Sequence, residues 1–116
     1  MNVRKFFRSF RYAMEGILTA VNEQNFRFHL VSAIIVIIAG ILTGLTTVEW
    51  SIIVLVIFLV IGAELINTAI ERVVDLASPE FHPIAKQAKD IAAGAVLVFA
   101  LASVIIGLLI FLPKWL

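Results

Sequence analysis

The sequence predicts an all-α membrane protein: one amphipathic surface helix followed by three transmembrane helices. Three observations carry this reading. Hydrophobic residues make up 62% of the 116 residues and charged residues only 15%, against about half and a quarter in soluble domains. The stretches Leu30–Val48, Trp50–Ala63 and Ile91–Pro113 carry no charge, and a spanning helix needs about 20 mostly apolar residues. The bases cluster before the first stretch and between the last two. A mean hydropathy of +1.10 excludes disorder, which needs low hydrophobicity and high net charge. With no cysteine, a disulfide scaffold, a Cys-based zinc site and thiol catalysis are excluded as well.

The surface helix is expected over residues 3–22. At about 100° per residue, Phe6, Phe7, Phe10, Met14, Ile17 and Val21 share one face. Arg4, Lys5, Arg8, Arg11 and Glu15 share the other. Such a helix suits the interface of an anionic inner leaflet. A calmodulin-type target has the same pattern, but the adjoining span favours the membrane surface.

The spans are expected over 29–48, 50–75 and 86–113. The second reaches spanning length only by continuing past Glu64, so it carries an acid inside it. A signal peptide is not expected, because the first apolar run starts at Leu30 without a small-residue cleavage pattern. Gly40 and Gly44 form a G-x-x-x-G pair in the first span. Ala92, Ala93, Gly94, Ala95, Ala100, Ala102, Ser103 and Gly107 make the third rich in small residues. Both patterns point to close helix packing. The loop Ser78–Pro83 breaks the helix, since a residue before proline leaves the α region. The helix restarts by Lys86.

Orientation follows from the bases. Arg4, Lys5, Arg8, Arg11 and Arg27 precede the first span, and Arg72, Lys86 and Lys89 flank the second loop. Only Lys114 lies at the other end. The positive-inside rule puts the N-terminus and second loop in the cytoplasm. The chain is then a multi-pass protein of an inner membrane.

The second span carries the chemistry. Glu64, Asn67, Thr68, Glu71 and Asp75 fall within about a 100° arc of one helix. They rise roughly 16 Å from the deep Glu64 to Asp75 at the cytoplasmic mouth. An acid at membrane depth costs about 3 kcal/mol or more unless paired, protonated or wet. A salt-bridged stripe that only specifies packing is the plain alternative. Lys86, Lys89 and Asp90 share one face at the same boundary, and Glu23 adds an acid just before the first span. Carboxylates with lysines suit Mg²⁺ and phosphate. His29 and His82, in separate segments, make no metal motif. No G-x-x-x-x-G-K-[ST] or G-x-G-x-x-G loop occurs. Any nucleotide site must be built from helix ends.

The run from Glu64 through Asn67, Thr68 and Glu71 to Asp75 resembles the signature of the prokaryotic integral-membrane lipid kinases, the diacylglycerol kinase and undecaprenol kinase family. The resemblance continues through Glu80-Phe81-His82-Pro83, Ala88-Lys89-Asp90 and Ala93-Gly94-Ala95-Val96-Leu97. Glu23, Asn25, Arg27 and His29 resemble the segment before the family's first span. The resemblance implies a small homotrimer in the bacterial cytoplasmic membrane. Its partners would be a lipid alcohol and ATP, with no nucleic acid. Glu64 would be the catalytic base. Glu23 and Glu71 would hold Mg²⁺. Tyr12, Glu23, Glu71, Glu80, Phe81, His82, Lys89 and Asp90 would form the ATP site. Asn67, Asp75, Arg27 and His29, with Glu64, would bind or orient the substrate.

Phe26-Arg27-Phe28-His29, Ser78-Pro79 and Ala92-Ala93-Gly94-Ala95 are similar to the Gram-positive branch, which is associated mainly with undecaprenol. Members acting on diacylglycerol tend to carry an acid where this chain has His29. The expected function is therefore undecaprenol phosphorylation by direct transfer, with diacylglycerol phosphorylation as the alternative. Two readings from other classes remain: an ion or proton transporter subunit using the acidic stripe, and a non-enzymatic scaffold. The apolar outer halves of the spans disfavour the first, and the clustered acids are unexplained by the second.

Overall fold

A computed structural model describes residues Met1 to Leu116. It holds four helices: α1 (Val3–Ala20), α2 (Gln24–Thr43), α3 (Thr47–Ala77) and α4 (Pro83–Trp115). The last three are long and apolar enough to cross a membrane. The fold class is all-helical, as the charge-free stretches predict.

The first span is shorter than the expected 29–48 at its outer end. Gly44 adopts φ 81° and its N–H donates to the Gly40 carbonyl at 2.9 Å. Glycine takes this left-handed conformation without a Cβ clash, so it ends the helix. Thr46 and Glu49 then start α3 with reciprocal bonds. The Glu49 N–H donates to Thr46 Oγ1 at 3.2 Å, and the Thr46 N–H donates to Glu49 Oε1 at 2.9 Å. This capping box moves the helix start from the expected 50 to Thr47. Of the G-x-x-x-G pair, only Gly40 packs, while Gly44 is a cap. Gly40 is buried, and a Cβ there would lie 2.6 Å from the Trp50 ring. Gly40→Val is expected to destabilise the fold by about 1–3 kcal/mol through overpacking. A lowered midpoint of denaturant unfolding in mixed micelles checks this.

Polar bonds staple the helix ends beside this turn. Lys114 Nζ lies 3.0 Å from Glu49 Oε1. Trp115 Nε1 donates to Thr43 Oγ1 at 2.9 Å. The two charges expected on the outer side therefore neutralise each other. With these ends aligned, the extra length of α3 and α4 projects at the opposite end. At 1.5 Å per residue they measure about 46 and 50 Å, against a hydrocarbon thickness of about 30 Å.

α3 is the centre of the fold. It packs most extensively on α4, then on α2. α1 leans on it along a groove lined by Gly16, Ala20, Leu65 and Arg72. The corner between α1 and α2 is closed by the fully buried Phe26. Arg27 Nη1 donates to the Val21 and Asn22 carbonyls at 3.0 and 2.8 Å. These backbone bonds hold the corner, which makes α1 end at Ala20 rather than at 22. The apolar face of α1 (Phe6, Phe7, Phe10, Met14) stays exposed, as an interfacial helix requires. α4 starts at Pro83, earlier than the expected 86. Proline suits the first helical position, and His82 caps it by accepting the Ile84 N–H on Nδ1 at 3.1 Å.

Burial is inverted relative to a water-soluble domain. Eleven residues are buried, and Glu64, Asn67 and Thr68 are among them. Most large apolar side chains face outward. Lipid is as apolar as leucine, so nothing drives those side chains inward. The polar ones must find partners inside the protein.

Candidate active site

The site is built along α3 from Glu64 toward the loop between α3 and α4. Counted from Thr47, Glu64 lies about 26 Å along the helix, Glu71 about 36 Å and Asp75 about 42 Å. Measured against about 30 Å of hydrocarbon, only Glu64 sits at membrane depth. The stripe is therefore one deep acid followed by two acids at the boundary. This lowers the cost that three intramembrane carboxylates would carry.

Glu64 has one charged-group neighbour. His29 Nε2 on α2 lies 3.5 Å from Glu64 Oε2, with the side chains only 16% and 4% exposed. The Thr68 hydroxyl does not reach the carboxylate, because it donates to the Glu64 backbone carbonyl at 3.0 Å. One turn on, Asn67 Nδ2 donates to Glu71 Oε1 at 3.3 Å. Asn67 Oδ1 is buried and has no hydrogen-bond partner. A buried acceptor left unpaired costs about 1–3 kcal/mol, so this atom is ready for a donor.

An apolar slot of about 100 Å³ runs from His29 away from the polar end. Ala33, Val36, Ile53, Val60, Ile61 and Gly107 line it. His29, Ser32 and Ser103 are its polar lining, and no acid lines it. At the other end, a cleft of about 460 Å³ opens between the end of α3 and the start of α4. That volume is in the range of small-molecule sites. Asp75, Ser78, Glu80, Phe81, His82, Lys86, Lys89 and Asp90 line it. Ser78 Oγ donates to the Glu80 carbonyl at 2.9 Å and shapes the loop.

The cleft's lysines are already paired. Lys89 Nζ lies 2.8 Å from Asp75 Oδ1, and Lys86 Nζ lies 2.6 Å from Asp90 Oδ2. Adjacent in sequence, Lys89 and Asp90 do not work as a unit; each has a partner elsewhere. Near the α1–α2 corner, Arg72 Nη2 lies 3.2 Å from Glu23 Oε1. Arg72 follows Glu71 on α3, so this pair ties the Glu23 segment to the stripe. No three of the Asp, Glu and His residues form a metal cage. A site of one or two carboxylates completed by phosphate oxygens is the ordinary Mg²⁺ arrangement. Glu23 is engaged through Oε1 with Arg72 and Glu71 through Oε1 with Asn67, so each keeps its second carboxylate oxygen for such an ion.

The expected residues therefore fall into separate groups. Glu80, Phe81, His82, Lys89 and Asp90 come together around the cleft. Tyr12, Glu23 and Glu71 do not line it. Tyr12 is exposed on α1, with the Arg11 guanidinium 5.5 Å from its ring centre. Asn67 and Asp75 hold Glu71 and Lys89. Arg27 holds the helix corner, and His29 meets Glu64. Lys86 and Arg72 were absent from the expected site. The shared face of Lys86, Lys89 and Asp90 is the signal for the first, and nothing in the spacing signals the second.

Comparison with known proteins identifies the family. The family model described as prokaryotic diacylglycerol kinase matches residues 11–111. An undecaprenol kinase of Bacillus subtilis (strain 168) is 55% identical over 97% of this chain and 92% of its own length. A diacylglycerol kinase of Synechocystis is 45% identical over 90% of this chain, which spans 61% of that protein. A diacylglycerol kinase of Escherichia coli (strain K12) is 30% identical over 81% of this chain and 78% of its own length. A polar stripe on a membrane helix, a deep acid above an apolar slot and a match through all four helices lead to one conclusion: the chain belongs to the prokaryotic diacylglycerol kinase family.

Proposed function

We propose that this protein transfers the γ-phosphate of ATP to a membrane lipid alcohol, and that undecaprenol is its substrate. The observation that carries the reading is the buried Glu64 carboxylate, set between an apolar slot and a polar cleft. The lipid presents its hydroxyl to Glu64 from the membrane side. The nucleotide enters the cleft from water, with its phosphates toward Lys86 and Lys89.

Glu64 takes the hydroxyl proton as the alcohol oxygen attacks the γ-phosphorus. The bond from that phosphorus to its bridging oxygen breaks, and ADP leaves. Direct in-line transfer needs positioning and charge neutralisation rather than a covalent enzyme intermediate. Glu23 and Glu71 would hold Mg²⁺, which would supply positive charge against the phosphate oxygens. The cleft's own lysines are paired with Asp75 and Asp90, so the charge of a polyphosphate needs that help. Asn67 orients Glu71, and Asp75 orients Lys89. Glu80, Phe81 and His82 surround the rest of the nucleotide, with Tyr12 contributing from α1.

The assembly in this reading is a homotrimer in the cytoplasmic membrane, with the N-terminus and the cleft on the cytoplasmic side. The distribution of bases supports the orientation. Tyr12 and Glu23 do not line their own subunit's cleft, which supports a site shared between subunits. The whole chain is read as one membrane-embedded kinase domain.

Undecaprenol is favoured by one observation. The relative sharing 55% identity carries that name, whereas those named diacylglycerol kinases are less similar. A parallel assay with undecaprenol and diacylglycerol in identical micelles, following label from the γ-phosphate, tests both levels. kcat/KM is expected to be at least about tenfold higher for undecaprenol, a difference of ~1.4 kcal/mol. Equal or reversed values overturn the substrate assignment. No transfer to either lipid overturns the kinase reading.

A further inference from the structure

We propose that His29 is a positioning residue for Glu64: it receives the proton that Glu64 takes from each substrate and returns it to water. The proposal rests on the lipid-kinase reading above and adds a step that reading leaves open. Each transfer leaves Glu64 protonated inside the hydrocarbon region. The carboxyl must lose that proton before it can act again, and at its depth water is scarce.

The geometry offers one acceptor. His29 Nε2 lies 3.5 Å from Glu64 Oε2, and no other histidine or base comes within ion-pair distance of this carboxylate. The Thr68 hydroxyl is engaged with backbone, and the free Asn67 Oδ1 is an amide oxygen, too weak a base to take a proton from a carboxyl. His29 is more exposed than Glu64 and lies in the second turn of α2, five residues past Gln24. It therefore connects the deep acid to the helix end.

Among the groups facing His29, one is titratable. From α3 the facing titratable group is Glu64. From α4 the slot presents Ser103 and Gly107, and from α2 itself Ser32. The Phe28 ring meets the imidazole edge-on at 5.5 Å. None of these last four titrates.

The step balances as follows. With its own proton on Nδ1, the neutral imidazole presents Nε2 as an acceptor. The Glu64 Oε2–H bond breaks and an Nε2–H bond forms, giving a carboxylate and an imidazolium. The imidazolium then releases one proton to interfacial water. Histidine suits this role because its charge ordinarily changes between about pH 5 and 8.

The test compares wild type with His29→Gln, measuring kcat and KM for ATP on saturating lipid. Circular dichroism first confirms that the variant is helical in micelles; if it is not, His29→Asn takes its place. The variant is expected to lose about 100-fold in kcat and to keep KM for ATP within about twofold. Added imidazole is expected to restore turnover to His29→Gly. Wild-type kcat in the variant overturns the proposal. So does a lowered kcat that imidazole does not restore, the result of a purely structural loss. Because wild-type transfer is measured first, failure of the kinase reading is seen separately from failure of the relay.

Discussion

Glu64→Gln is expected to lower kcat by about 10³-fold, with helical content and ATP binding unchanged. General base catalysis by one positioned group contributes about 10²–10⁴-fold, and 10³-fold corresponds to ~4 kcal/mol of barrier. Glutamine keeps the volume of the side chain and loses the proton acceptor. The buried site is not left with an unpaired charge, since the substitution removes the carboxylate beside His29. Stability should therefore hold or rise slightly, because a lone deep acid is a cost that the amide largely avoids. Single-turnover transfer from labelled ATP, paired with a nucleotide-binding measurement, separates the two effects. Turnover within about threefold of wild type would remove Glu64 from the base role. Retained ATP binding with lost transfer is the signature expected of a residue that acts only on the lipid hydroxyl.

Glu71→Ala is expected to act on the metal rather than on the lipid. Loss of a group that merely supports a metal ligand costs about 10–100-fold in affinity, and loss of a ligand costs at least as much. The Mg²⁺ concentration for half-maximal activity should therefore rise at least tenfold. Lipid KM should stay unchanged, because Glu71 lies about 10 Å along the helix from Glu64. Asn67→Ala offers a graded comparison. Asn67 Nδ2 donates to Glu71 Oε1 at 3.3 Å, so its removal frees Glu71 without deleting it. A smaller shift in Mg²⁺ dependence is expected there. A titration of activity against Mg²⁺ at fixed ATP checks both variants. Unchanged Mg²⁺ dependence in Glu71→Ala removes Glu71 from the metal role.

Much of this was legible in the sequence because the information is local. The Glu64–Asp75 stripe follows from the period of an α-helix, whatever surrounds it. The three spans follow from runs without charge, and the amphipathic character of α1 from the alternation of arginine and phenylalanine around its first three turns. The errors are also local in origin. The ends of α2 and α3 were misplaced because charge-free length was read as helix length, whereas Gly44 and the Thr46–Glu49 box end and start helices by backbone geometry. Gly40 and Gly44 look equivalent as letters, yet one meets the Trp50 ring and the other turns the chain.

The candidate site was legible as a set of residue types and much less as a set of partners. The resemblance places Arg27 among the substrate-binding residues, and the fold adds that its Nη1 donates to the carbonyls of Val21 and Asn22, a partnership that no spacing announces. Lys89 and Asp90 are neighbours in sequence and point to different partners in space. Arg72 pairs with Glu23 across 49 positions of the chain, a contact that no spacing rule announces.

The sequence by itself determined the membrane setting, the number of helices and which face of α3 is polar. Those are set by composition and by periods of a few residues, and lipid enforces them because unpaired backbone and exposed charge are costly in hydrocarbon. Tertiary structure alone decided that His29 stands against Glu64, that the lysines of the cleft are held by Asp75 and Asp90, and that an apolar slot continues beyond the deep acid. Each of these depends on the rotation and axial register of one helix against another. A shift of one residue turns a side chain by about 100° and moves it 1.5 Å along the axis, so a helical pattern fixes the face that packs but leaves the partner to the packing itself.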